Sequence, residues 1–166
     1  MFFRKKTPEI LVIQDFIDPD DLLSILDFLK NNQFMRAHQN QMGRNNFELF
    51  TENKNIADII YKKSKRTFKL IEKPNILEFY SYEKGDFLTA HSDKPTKFDS
   101  NQNSNYTAII YLNDDFVGGE TYFSDKNEII YPKAGNLLLF QHQLRHEGKV
   151  VQLGTKYIFR SNWKIK

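Results

Sequence analysis

His91 and Asp93 are the residues whose types and spacing first suggest chemistry. They close the stretch ILEFYSYEKGDFLTAHSD, residues 76–93, whose apolar and aromatic content reads as strand. Positions i and i+2 of an extended strand project from one face, so an imidazole nitrogen and a carboxylate oxygen can reach one ion. Such a short pattern recurs by chance, and its meaning rests on a third donor. The other histidines are His38, His142 and His146. His38 precedes the β-rich part and reads as an ordinary, partly exposed residue. His142 and His146 lie in LLLFQHQLRHEGKVV, where one buried strand ends and another begins, and position alone leaves both open as the third ligand. With no cysteine in the chain, a metal site must be built from His, Asp and Glu, a donor set suited to iron, manganese or zinc.

Elements that would position these residues are legible along the chain. EILVIQDF, residues 9–16, reads as a buried strand. Asp18-Pro19-Asp20-Asp21 reads as a helix start, with Asp18 as N-cap, Pro19 at the first helical position and the next acids favouring the dipole. Leu22, Leu23, Leu26 and Leu29 follow at helical spacing, and Asn31-Asn32 ends the run. NQMGRNN, residues 40–46, reads as a polar loop. A second helix is expected over 55–68, with Ile56, Ile59, Ile60 and Tyr61 inward. Its other face carries Lys62, Lys63, Lys65, Arg66 and Lys69 and reads as a solvated face rather than a polyanion site. From residue 75 the pattern turns to short strands, expected at 76–82, 86–91, 105–112, 120–123, 128–131, 136–140, 145–151 and 156–163. Two helices followed by about eight strands imply an α+β fold with a β-sandwich or barrel. The polar segment 94–104 is expected to be a mobile flap beside the site.

Composition narrows the class. At 166 residues the chain suffices for one domain, 1–166, with helical support over about 1–74 and a β core over about 75–166. Fifteen Phe and eight Tyr favour packed β structure over a coiled coil. A net charge of +3 gives no strong nucleic-acid signal. There is no apolar run of membrane-spanning length and no signal-peptide core, so the expected location is the cytoplasm.

Several ordered motifs extend the pair at 91–93. They are Tyr82-x-x-Gly85, His91-Ser92-Asp93, YTAIIYLND over 106–114, Gly118-Gly119-Glu120-Thr121, Pro132-Lys133-Ala134-Gly135, and LLLFQHQLRHEG before Gly154-Thr155-Lys156. Together they resemble the iron(II)- and 2-oxoglutarate-dependent dioxygenases, in particular their prolyl 4-hydroxylase-like branch. The resemblance implies a double-stranded β-helix, or jelly roll, and an oxidoreductase using Fe(2+), 2-oxoglutarate and O2, with ascorbate as an optional reductant. It implies His91, Asp93 and His146 as metal ligands and catalytic centre. It places Lys156 on the far carboxylate of 2-oxoglutarate, with Tyr111, Thr107 and Tyr82 lining the cosubstrate. Arg160, four positions beyond Lys156 on the same strand face, is assigned to substrate, with the carboxylate cation as its other reading. The loop Arg44-Asn45-Asn46 is expected to shape the substrate entrance.

The implied activity is hydroxylation of an unactivated C–H bond, with a protein or peptide residue such as proline as substrate. A free amino acid or other small molecule is the alternative. Related halogenases lack the carboxylate that Asp93 supplies. Nucleic-acid demethylases of the same superfamily carry Arg-x-Asn-x-x-x-Arg near the end, whereas this chain has KYIFRSNW. A non-catalytic jelly-roll binding module would have no use for the ligand set and Lys156. A zinc or manganese cupin hydrolase or isomerase is a weaker alternative, separated by succinate release that depends on iron and 2-oxoglutarate.

Overall fold

The computed structural model describes residues 8–37, 43–68, 76–98 and 101–165. The N-terminal part holds β1 (Ile10–Ile13), α1 (Pro19–Lys30), β2 (Met35–Arg36), β3 (Arg44–Asn45), β4 (Phe47–Thr51) and α2 (Lys54–Thr67). The β-rich part continues with β5 (Leu77–Tyr82), β6 (Phe87–His91), β7 (Tyr106–Tyr111), β8 (Val117–Gly118) and β9 (Thr121–Phe123). It ends with β10 (Glu128–Ile130), β11 (Leu137–Gln141), β12 (His146–Gly148), β13 (Val151–Leu153) and β14 (Lys156–Trp163). No described helix is long and apolar enough to cross a membrane.

Two antiparallel sheets face each other. One has seven strands in the order β1-β11-β7-β14-β5-β4-β2, the other five in the order β10-β9-β12-β6-β3. Side-chain alternation decides what each face of the larger sheet meets. On β7, Tyr106, Ala108 and Ile110 join Ile25 and Leu29 of α1 and Ile56 and Ile60 of α2 in one core. Ile109 and Tyr111 point the other way and pack with Phe123, Leu138, Phe140 and Ile158 between the sheets. Both faces are covered, which is why YTAIIY is an unbroken apolar run rather than an alternating one. This is the α+β architecture, two helices backing a β-sandwich, that the element pattern implies.

The helices form nearly where the sequence places them, with different end chemistry. Asp18 is the N-cap of α1 and Pro19 opens the helix, but the Asp18 side chain makes no cap hydrogen bond. Its carboxylate pairs instead with Lys63 of α2, which also lies 3.2 Å from Asp21. One lysine of the expected solvated face thus ties the two helices together. Lys69 lies outside the described residues. Helix α2 starts slightly earlier than expected because Asn53 caps it, accepting a hydrogen bond from the Ile56 N–H at 3.1 Å.

Two corrections and one further detail bear on the site. The expected polar loop at 40–46 gives way at its end to β3 and β4; residues 40–42, like His38, lie outside the described residues. β3 pairs with β6 in the smaller sheet, while β4 pairs with β5 in the larger. The chain changes sheets at Asn46, a buried residue whose carbonyl accepts from Ala37 N–H at 3.0 Å. The strand expected over 145–151 is divided, because β12 pairs with β6 and β9 whereas β13 pairs with β8. The expected flap at 94–104 is a hydrogen-bonded loop over its described residues. Thr96 and Ser104 bond both ways, through Ser104 N–H to Thr96 O at 2.9 Å and Thr96 N–H to Ser104 Oγ at 2.8 Å. Lys97 and Asn103 bridge above them.

Candidate metal centre

The end of β6 and the start of β12 bring His91 and His146 directly opposite each other. Their ring centroids are 4.4 Å apart. Asp93 lies two residues past His91, fixed by its N–H to the His142 carbonyl at 2.9 Å. Its carboxylate stands 3.5 Å from His91 Nε2 and 3.9 Å from His146 Nε2. Among the described residues this is the group of His, Asp and Glu arranged to hold an ion, with donor atoms all within 4.8 Å of one another. Both of those spacings to Asp93 fall below roughly twice an ordinary ~2.0–2.2 Å metal bond, so one ion can touch the carboxylate and either imidazole.

The ring orientations favour a metal. His91 Nδ1 lies 2.9 Å from Thr89 O and His146 Nδ1 lies 3.0 Å from Leu144 O. A carbonyl only accepts, so each Nδ1 donates a proton there, and each Nε2 is the nitrogen turned toward Asp93. His146 is buried among Phe140 and Phe123, and that burial lowers its pKa to about 4, keeping it neutral. The hydrogen bond to Asp93 raises His91, against the opposing effect of its burial. Burial would raise the Asp93 carboxyl, but His91, the Arg160 guanidinium and the Thr107 hydroxyl outweigh it and hold it well below the usual range. Two imidazole Nε2 atoms and one carboxylate therefore meet at one point, the His146 ring neutral and Asp93 ionised. Of the two histidines that position left open, His146 faces the group; His142 turns to Thr107 and Ser104.

The same cavity, of about 400 Å³, runs from these three residues to Lys156. Lys156 is buried on β14, opposite Tyr82 of β5, and donates to Gly119 O at 2.6 Å. Its ammonium lies over the rings of Tyr82 and Tyr111 at 5.3 and 5.6 Å. Burial lowers its pKa to about 8, Glu120 opposing the shift. Burial also pushes the Tyr82 hydroxyl up to about 12 and Tyr111 higher still, so both are neutral donors.

Not every expected neighbour lies where the sequence pattern puts it. Thr107 and Tyr111 do share the inner face of β7, but residues four apart on a strand are roughly 13 Å apart. Thr107 therefore reaches Asp93, to which it donates at 2.5 Å, and not Lys156. The hydroxyl that meets Tyr111 belongs to Thr121, at 2.8 Å. Thr121 closes the Gly118–Thr121 motif, a signal that marks the segment without giving the residue a role. Arg160 lies at the metal end of the cavity, 3.2 Å from Asp93 and 3.4 Å from its cross-strand partner Glu78. Arg44 also lines the cavity, over the Tyr80 ring and 2.5 Å from Glu48.

Residues 77–164, more than half of the chain, match the family model described as the 2OG-Fe(II) oxygenase superfamily. No curated protein matches by sequence. Among solved structures, a viral collagen prolyl hydroxylase from Paramecium Bursaria Chlorella virus-1, in complex with 2OG, is similar with a TM-score of 0.72. It is 20% identical, and the match covers 94% of this chain and 95% of that one. A Pseudomonas putida prolyl-4-hydroxylase gives a TM-score of 0.73 at 16% identity, over 96% and 94% of the two chains. A Trichoplax adhaerens prolyl hydroxylase, in complex with a hypoxia inducible factor oxygen degradation domain peptide fragment, gives 0.68 at 17% identity, over 96% and 84%. At these identities the likeness establishes the fold, the jelly roll expected from the motifs.

Proposed function

The chain belongs to the 2OG-Fe(II) oxygenase superfamily, and from that premise we propose that it hydroxylates an unactivated C–H bond of a protein or peptide, with a prolyl residue as the leading substrate. The observation that carries the reading is the division of one cavity between two kinds of charge. His91, Asp93 and His146 gather at one end, and at the other Lys156 has no carboxylate in salt-bridge reach among the described residues. A dicarboxylate with a 2-oxo acid head suits both ends. In this reading His91, Asp93 and His146 hold iron(II), and Lys156, Tyr111, Tyr82 and Thr121 receive the far carboxylate. Bound iron(II) supplies the redox chemistry that couples dioxygen reduction to decarboxylation. The balance is one 2-oxoglutarate, one dioxygen and one C–H bond giving succinate, carbon dioxide and C–OH.

The chain's own residues do the rest. The two Nδ1–H bonds aim the imidazoles, Thr107 and Arg160 hold the Asp93 carboxylate, and the Tyr82 and Tyr111 rings shield Lys156 from water. Arg160 and Arg44, at the metal end, are placed to meet the substrate backbone. The peptide assignment draws support from the similar prolyl hydroxylases, one of them solved with a peptide. A reducing cytoplasm suits this chemistry because it keeps iron ferrous.

The test incubates the protein with iron(II), ascorbate, 2-oxoglutarate and a panel of proline-containing peptides beside free amino acids. Mass spectrometry should find succinate in proportion to peptide that has gained one oxygen. Oxygenation confined to a free amino acid, with every peptide unchanged, would move the chain to the small-molecule alternative.

A pH dependence follows from Lys156. Its burial makes it titrate near 8, below the 10.5 of a free lysine. Between those values the unfolded chain binds more protons than the folded one. Burying Lys156 therefore costs stability below about pH 8, on the order of 3 kcal/mol, and the cost fades as pH rises toward 10.5. The dicarboxylate needs the ammonium form. Cosubstrate affinity should hold steady below pH 8 and weaken above it, approaching tenfold per pH unit. Calorimetric titration at several pH values checks this, with Lys156→Arg as the comparator that stays charged and loses the dependence.

A further inference from the structure

The Asp93 carboxylate is the end of a hydrogen-bonded chain that runs through the buried interior. Thr107 Oγ1 donates to Asp93 Oδ2 at 2.5 Å and lies 2.9 Å from His142 Nδ1. His142 Nε2 lies 2.7 Å from Ser104 Oγ, and Ser104 Oγ accepts from the Thr96 N–H at 2.8 Å. Thr107, His142 and Ser104 are all buried. With a neutral His142, proton counting fixes every direction. A carboxylate only accepts, so the single Thr107 proton goes to Asp93, and the Thr107 oxygen must accept from His142. His142 is then protonated on Nδ1, its Nε2 accepts from Ser104, and the Ser104 oxygen is left to accept from Thr96. All the donors point toward Asp93. Arg160 holds the other oxygen, Oδ1, at 3.2 Å.

We propose that His142 and Ser104, acting through Thr107, are positioning residues that set the orientation of Asp93 for the metal. The proposal rests on the reading of Asp93 as a metal ligand. A carboxylate held by one rotatable hydroxyl can turn with it; locked by a histidine whose own tautomer is fixed, that hydroxyl has one direction to point. Ser104 and Thr96 also close the base of the 96–104 loop, so the loop and the ligand share one chain of bonds. His142 thus has a role distinct from that of His146, although both sit in one short segment.

Manganese(II) binding to the metal-free full chain, without cosubstrate, tests this independently of turnover. Loss of an outer partner of a metal ligand typically costs 10–100-fold in affinity. His142→Ala should therefore weaken manganese(II) binding roughly tenfold or more. His142→Asn, whose amide nitrogen can donate to Thr107 in place of Nδ1, should recover most of that loss. Ser104→Ala should cause a smaller loss in the same direction. Thr107→Val against Thr107→Ser provides the same comparison without touching the histidine, and decides the matter if His142→Ala does not fold. Wild-type manganese(II) affinity in folded His142→Ala or Thr107→Val, with Asp93→Ala impaired, overturns the positioning role. Undiminished affinity in Asp93→Ala overturns the metal-centre reading instead, so the two failures are distinguishable.

Discussion

Asp93→Ala should bind iron(II) or manganese(II) at least about a hundredfold more weakly and should form no detectable hydroxylated product. The lower bound follows because partners outside the coordination sphere already cost up to about a hundredfold, and a ligand contributes more than a partner. Asp93 is the one carboxylate in the group and offsets the charge of the ion. Its removal also takes a partner from two donors, leaving Arg160 with Glu78 among the described residues and Thr107 with His142. His91 loses the hydrogen bond that raises its pKa and should become easier to deprotonate, so protonation of His91 cannot be the cause of weakened metal binding. Metal titration, product mass spectrometry and a thermal melt should be run on the same sample. A folded variant that binds manganese(II) like the wild type defeats the assignment.

Lys156→Ala should raise the 2-oxoglutarate requirement by roughly thirtyfold or more while leaving metal affinity unchanged. Removing one partner of a buried, charge-assisted hydrogen bond costs on the order of 2–5 kcal/mol, and each decade of affinity is about 1.4 kcal/mol. Lys156 is buried in the cavity wall, and its hydrogen bond goes to Gly119 rather than to any of the three metal-end residues. Arg160→Ala is the informative comparison. Arg160 is engaged by Asp93 and Glu78, so its removal should impair peptide oxidation more than cosubstrate binding. Weakened cosubstrate affinity in Arg160→Ala, with Lys156→Ala unaffected, would exchange the two roles.

The faces of strands were legible in the sequence, and depth along them was not. KYIFRSNW forms a strand over the expected residues, and its alternation puts Lys156, Ile158 and Arg160 on the cavity side and Phe159 in the helix-facing core. The same rule puts Thr107 and Tyr111 on one face but cannot say that one meets Asp93 and the other Thr121. That depends on how β6 and β9 are staggered against β7, which is a matter of tertiary register. The strands β2, β3 and β4 are hard to see for a different reason. Two of them are only two residues long, and Arg44-Asn45-Asn46 carries turn-forming residue types. Asn46 is buried because the chain passes between sheets there, which no local pattern announces. Asp18 is recognisable as a cap by position, yet a lysine distant in sequence claims its carboxylate.

Because His91 and His146 are paired across β6 and β12, an ion bound between them would also act as a removable cross-link in the chain. It would tie the end of one strand to the start of another across all the residues between 91 and 146. Closing so long a segment takes conformational entropy from the unfolded chain, much as a disulfide does, and this chain has no cysteine with which to do it otherwise. Folding stability would then rise with the logarithm of free metal once the site begins to fill. The benefit would fall first on the smaller sheet, whose strands include the short β12 and β3, whereas the larger sheet is already backed by two helices. In a cell short of iron, the protein would lose its reaction and part of its protection against unfolding and proteolysis together.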